Sequence, residues 1–255
     1  MATITVIINY LGLKLERNPS MEPQIISFYN TSDDANRIFS IAKLARVLGD
    51  LNQSRILLID LNPKANLTLE FDSIITLKDP IDSALYTKKL VIRRTQYHNI
   101  SLVPAGTKAS LANGISSTLF RQFLKEVACD FNYIIMDIAH QPAGVADLGI
   151  RASDHLILPV AMDFRSLTVV PKLGKQLKEI ATSNDHEVKV AAFIATDYDP
   201  RVADKVRAGA EIKRLAKKMA TKVLGTENKD YIIVDAYTEP VLRYKELVQG
   251  LINGL

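Results

Sequence analysis

Short apolar runs alternate with longer amphipathic stretches along most of this chain. The runs are Ile25–Tyr29, Arg55–Leu61, Ile100–Pro104, Tyr133–Asp137, His155–Val160, Val190–Ala195 and Tyr231–Val234. Their length and β-branched content predict strands. Between them, Arg37–Leu48 carries Ile38, Ile41, Leu44, Ala45 and Leu48 at helical spacing. Leu111–Val127, Ser166–Ala181, Val202–Val223 and Pro240–Ile252 have similar patterns, so five helices are expected. Strands alternating with helices predict a doubly wound α/β fold: a mostly parallel sheet with helices on both faces. ILLID and YIIMD are apolar nearly throughout, as strands covered on both sides must be. Ahead of this pattern, Thr3–Asn9 reads as an added strand and Asn18–Pro23 as a linker. Residues 1–22 are therefore expected to form an extension. No Pro/Gly-rich segment divides the rest, so 23–255 is expected to be one domain.

Composition narrows the class. Apolar residues make up 47% of the 255 and charged residues 24%, enough for a sizeable core and close to an ordinary globular balance. The lone cysteine, Cys129, excludes an intrachain disulfide and fits a reducing cytoplasm. No apolar run reaches the roughly 18–20 residues of a membrane span. The first residues carry no basic segment ahead of their apolar run, so a secretory signal is not expected. His98, His140, His155 and His186 show no metal-ligand spacing, and no metal site is expected.

Function concentrates in the loop after the first core strand. Residues 25–44 read IISFYN-TSDDANR-IFSIAKLA, a strand, a polar loop and a helix. ILLIDLNPKANLT, LKDPIDSAL, SLVPAGTKASLA and FNYIIMDIAHQPAGVADLGIRASDHLILPV follow in order. This series resembles the ParA/MinD group of P-loop ATPases over roughly residues 24–200. The group has LLIDLDPQGNAT where this chain has Asp60, Pro63, Asn66 and Thr68. Its Walker B aspartate corresponds to Asp137, and Asn30 matches the Asn that ends its first strand.

The resemblance implies the fold, and the departures fall on chemistry. The group's phosphate loop reads roughly KGGVGKTT. The corresponding residues are Ser32, Asp33, Asp34, Ala35, Asn36, Arg37, Ile38 and Phe39. Such loops work through glycines that let backbone N–H groups close on phosphates, a lysine on the β/γ oxygens and a hydroxyl on Mg²⁺. Here Asp33 and Asp34 would face a polyanion, and Ile38 offers no oxygen. Arg37 keeps a positive charge, but its planar fork does not replace an ammonium. Ser32-Asp33-Asp34 also suit a helix N-cap, where carboxylates favour the positive end of the helix. Ser32 stands where the group has its signature lysine. Asn62 replaces the aspartate that positions the attacking water in relatives. Ala139-His140 replace a Pro-Pro, and IIVDAYTEP occupies the region of the adenine-binding segment without matching it. Arg37, Asp60, Asn62 and Asp137 are thus expected as relic positions of a site without catalysis.

Net charge is +4, so distribution matters more than the total. Residues 199–224 hold eight Lys/Arg and three Asp/Glu. Ala208, Ile212, Leu215, Met219 and Val223 form an apolar stripe. Arg201, Lys205, Arg207, Lys213, Arg214, Lys217, Lys218 and Lys222 cover much of the remaining surface. Relatives bind DNA non-specifically through late positive surface, and phosphate neutralisation would give sequence-independent, salt-sensitive binding; the plainer alternative is a solvated helix face. Arg93-Arg94 with Tyr97 and His98 could add a second contact.

The expected function is a ParA-like partition or cargo-positioning protein with lost or strongly weakened ATPase. It would act in the cytoplasm, in association with the nucleoid where it binds DNA, as a homodimeric scaffold for DNA or a small ParB-like adaptor. No cofactor is expected. An atypical active ATPase, which would take ATP and Mg²⁺ with Arg37 replacing lysine, is the enzyme-class alternative. A degenerate ParA-like scaffold of a pilus or secretion machine is the third.

Overall fold

The structure is a computed structural model. It describes residues 22–29, 35–52, 54–72, 90–105, 116–140, 143–183, 186–196, 199, 201–224 and 232–235. These fall into two compact units that meet in sequence between Asp154 and His155. The expected Thr3–Asn9 strand, the Pro240–Ile252 helix and the Ser32-Asp33-Asp34 cap lie outside the described residues.

In the first unit the strands are β1 (Gln24–Tyr29), β2 (Ile56–Asp60), β3 (Arg93–Arg94), β4 (Ile100–Val103) and β5 (Tyr133–Ile138), in the order β3-β4-β2-β5-β1. β4, β2, β5 and β1 run parallel, and the short β3 pairs antiparallel at the edge. All five residues of β2 and all six of β5 are buried. That matches the apolar reading of ILLID and YIIMD, and it forces each carboxylate at a strand end to find partners inside the protein. The helices are α1 (Ala35–Asn52), α2 (Asn66–Phe71), α3 (Ser117–Val127) and α4 (Ala143–Ala152). α1 buries the expected stripe of Ile38, Ile41, Leu44, Ala45 and Leu48. α3 is described from Ser117, with Ser116 capping it by accepting from the Leu119 N–H at 3.1 Å. α2 and α4 carry no expectation from the sequence pattern. In α4 the apolar spacing of Val145, Leu148 and Ala152 is helical, but two glycines and a short length hide it.

In the second unit β6 (His155–Ala161), β7 (Lys189–Thr196) and β8 (Ile232–Asp235) are parallel and in that order. α5 (Ser166–Ser183) and α6 (Ala203–Leu224) connect them. Among the described residues no helix is long and apolar enough to cross a membrane.

Two features hold the strand ends of the first unit in place. The Arg121 guanidinium donates to Asp154 Oδ1 at 2.5 Å and to the Ala152 carbonyl at 2.8 Å. Asp154 in turn accepts from the Ile25 N–H at 2.9 Å, pinning the start of β1. At the other end α4 presses on β5 through Gly149. A Cβ there would lie 2.8 Å from Ile138 Cδ1, 3.0 Å from its Cγ1 and 3.2 Å from Leu61 Cδ1. Gly149→Val is therefore expected to lower stability by about 1–3 kcal/mol through overpacking. Urea unfolding checks this, and an unchanged midpoint would show that α4 has room to move.

Candidate functional site

The candidate site lies at the C-terminal ends of β2 and β5, beside the first turn of α1. Ligand sites in parallel α/β sheets form at such ends. Asp60 and Asp137 are register partners, each the carboxylate toward the end of an apolar strand and each fully buried. The Leu61 N–H donates to the Asp137 carbonyl at 3.0 Å, so the chain leaving β2 is fixed to β5.

Arg37 supplies the facing charge. Its side chain is only 1% exposed, and it is among the largest fully buried side chains of the protein. Nε lies 2.6 Å from Asp137 Oδ1, and one terminal nitrogen lies 3.5 Å from Oδ2. The guanidinium thus forms a close buried ion pair with the carboxylate, with one long hydrogen bond to its second oxygen. The periodicity of α1 explains its direction. Arg37, Ile41, Leu44 and Leu48 follow one another at i, i+4, i+7 and i+11, so Arg37 extends the apolar stripe inward.

Asp60 has other partners. Oδ1 accepts from the Asn62 N–H at 2.9 Å. Oδ2 accepts from the Thr68 N–H and the Thr68 hydroxyl, both at 2.8 Å. Thr68 Oγ1 also accepts from the Ala105 N–H at 3.0 Å, which joins the site to the exit of β4. Asn62 Nδ2 stands 3.5 Å from Asp137 Oδ2, while its Oδ1 accepts from the Lys64 N–H at 3.1 Å. The turn that places Thr68 closes with Ala65 at φ 54, left-handed backbone that suits glycine. At the rim, the buried Tyr29 hydroxyl lies 3.2 Å from His140 Nδ1.

The electrostatics follow from this geometry. Burial, and then the charge of Asp137, pushes the Asp60 carboxyl up to about 7, against the opposing pull of the Thr68 and Asn62 donors. Arg37, Asp60, Asn62 and Asp137 are brought together at this end of the sheet. Ile38 is buried in the core face of α1, and Asn36 is in the same first turn, its side chain outside the described residues. Ser32, Asp33 and Asp34 lie outside the described residues. Thr68, Tyr29 and His140 were not expected to have a role at the site. The signal for Thr68 was its place eight residues after Asp60. Among the described residues no group of three or more His, Cys, Asp or Glu is placed to hold a metal ion.

The basic positions lie on α6 and its approach. Arg201, Arg207, Lys213, Arg214 and Lys218 are exposed and Lys205 is half-buried; the side chains of Lys217 and Lys222 lie outside the described residues. Arg207, Arg214 and Lys218 share one face at i, i+7 and i+11, which Glu211 interrupts. Arg201 is forked onto Asp199 at 2.8–2.9 Å and holds that carboxyl well below its ordinary range. Arg214 is paired in the same way with Glu211. Among the described side chains, Arg201 and Arg214 thus have carboxylate partners of their own.

Comparison with known proteins agrees with this architecture. The AAA domain family matches residues 23–190. An uncharacterized Pseudomonas putida protein is 23% identical over 172 residues, 62% of this chain, and the match spans 64% of that relative's length. The sporulation initiation inhibitor protein Soj of Bacillus subtilis is 20% identical over 245 residues, covering 89% of this chain and 93% of Soj. Among solved structures, cobyrinic acid a,c-diamide synthase from Mycobacterium smegmatis, with bound ADP and magnesium, superposes with a TM-score of 0.71. It has 16% identity and covers 91% of this chain and 94% of its own. A plasmid partition protein from Borrelia burgdorferi superposes at 0.67 with 15% identity, covering 92% and 100%.

Asp60 generates a pH prediction. An aspartate titrates near 3.8 in the unfolded chain and near 7 here. Between these values the folded state holds a proton that the unfolded state has released. Stability from this residue therefore falls as pH rises from about 4 to about 7, then stays level. Asp60→Asn removes the slope. Its stability relative to the wild type is expected to rise across that window by up to about 1.4 kcal/mol per pH unit. Urea unfolding at several pH values checks this, and parallel curves would contradict it.

Proposed function

The chain belongs to the ParA/MinD family of P-loop ATPases, through its AAA domain, and from that premise we propose that it is a partition- or positioning-type scaffold whose ATPase has been lost or strongly weakened. The observation that carries this reading is the buried pair of Arg37 and Asp137. The residue at the phosphate-lysine position points its charge at the Walker B carboxylate, with which it forms a buried ion pair. Ile38, at the position of the Mg²⁺-binding hydroxyl, is in the core. Asn62 has an amide where relatives have a carboxylate, and a neutral amide is not a base. These residues do not fit Mg·ATP, and no catalytic step is assigned to them.

A scaffold of this kind works as a cytoplasmic homodimer that links a cargo or small adaptor to DNA. The exposed Arg207, Lys213 and Lys218 on α6 support the DNA arm of the proposal. Arg201 and Arg214 contribute less to phosphate contact, because each already has a carboxylate partner. The family's nucleotide gate would be missing, so DNA binding is constitutive.

Calorimetry with Mg·ATP is expected to show no micromolar site, and phosphate release to stay at background with and without DNA. Turnover abolished by Arg37→Ala would establish the atypical ATPase instead.

DNA affinity is expected to fall steeply with salt, to ignore sequence and to be unaffected by ATP. Charge reversal at Arg207, Lys213 and Lys218 together should weaken it by at least about tenfold, since each phosphate contact contributes a share of the salt-dependent free energy. Reversal of Arg201 should change it less. ATP-dependent retention, or full retention in the triple variant, would return α6 to a solvated surface.

A further inference from the structure

An ionised carboxylate buried at a strand end is stabilised by a cation, which is either part of the chain or taken from solution. Here Arg37 is covalently part of α1, packed in line with Ile41, Leu44 and Leu48. It cannot diffuse away, and a solution cation would have to displace it from within 2.6 Å of Asp137. Asn62 Nδ2 stands near the second oxygen of the same carboxylate, and Asn62 is itself held by its Asx turn to Lys64. The Asp60 oxygens are taken up by Asn62 and Thr68.

We infer that Arg37 is the resident counter-ion of Asp137, a positioning residue that ties the first turn of α1 to the end of β5 and makes the pair unresponsive to dissociable cations. The relation between site and solution is thereby reversed. Where a dissociable cation would make this end of the sheet conditional, the guanidinium makes it permanent. The inference rests on the geometry of the pair and stands apart from the scaffold reading.

Thermal unfolding of the full chain, with MgCl₂ or MnCl₂ as the probe at constant ionic strength and no nucleotide, tests it. The wild-type midpoint should not move with millimolar metal. Arg37→Ala should lower the midpoint by about 10 °C, because a buried carboxylate loses its cation. Methylguanidinium or Mn²⁺ should restore part of that loss, since a ligand that binds only the folded state stabilises it. Adding Asp137→Asn to an Arg37→Met variant should recover most of the stability and abolish the response to either cation. This double variant keeps the test decisive if Arg37→Ala does not fold.

A wild-type midpoint raised by Mg²⁺ alone would overturn the inference. An Arg37→Ala variant as stable as the wild type, or cation rescue that persists without Asp137, would do the same. A wild type that hydrolyses ATP while remaining indifferent to metal alone would sink the scaffold reading and leave this inference intact. Absence of turnover together with absence of cation rescue would do the reverse.

Discussion

A charge buried at the end of a parallel strand has no water to turn to, and much of this structure is arranged around that constraint. β5 is apolar and covered, yet it carries Asp137 close to its end. Leaving that carboxylate alone would cost several kcal/mol, and an internal partner removes most of the penalty. Arg37 is that partner. Its position in the first turn of α1 ties the helix entry to the strand end. Gly149 of α4 and Leu61 at the exit of β2 close the same region from another side.

The second carboxylate completes the balance differently. Among the described residues, Arg37 pairs with Asp137. Asp60 is left with neutral donors from Asn62 and Thr68. These stabilise its ionised form, but burial and the neighbouring charge outweigh them, so the carboxyl retains its proton to about neutral pH. Among the described residues, the two aspartates are thus settled in different ways, one by an ion pair and one by a proton.

Much of the fold was legible because burial writes itself into apolar runs. ILLID, YIIMD and the α1 stripe map directly onto covered strands and a covered helix face. α4 was not legible: its glycines lower helix propensity, and close packing on Ile138, which selects Gly149, is a tertiary fact. Arg37, Asp60, Asn62 and Asp137 stood out as a set, since their order along the chain matches the family's motifs. The direction of the Arg37 side chain was not. The apolar stripe legible in the sequence ran through Ile38, Ile41, Leu44, Ala45 and Leu48, and only the structure turns Arg37 inward onto Asp137. On α6 the count of basic residues was legible and their local pairing with Asp199 and Glu211 was not.

The central claim is that the Arg37 guanidinium stays on Asp137 whatever nucleotide or metal is present. The ¹⁵N NMR signal of its Nε–H reports this directly, because a buried Nε–H exchanges slowly with water and its shift senses the carboxylate beside it. The account predicts a protected Nε–H resonance, assigned by its loss in Arg37→Lys, that neither shifts nor broadens when Mg·ATP is added in excess. A resonance that moves or loses protection on adding Mg·ATP would show the guanidinium leaving Asp137 for a phosphate, and would contradict the account.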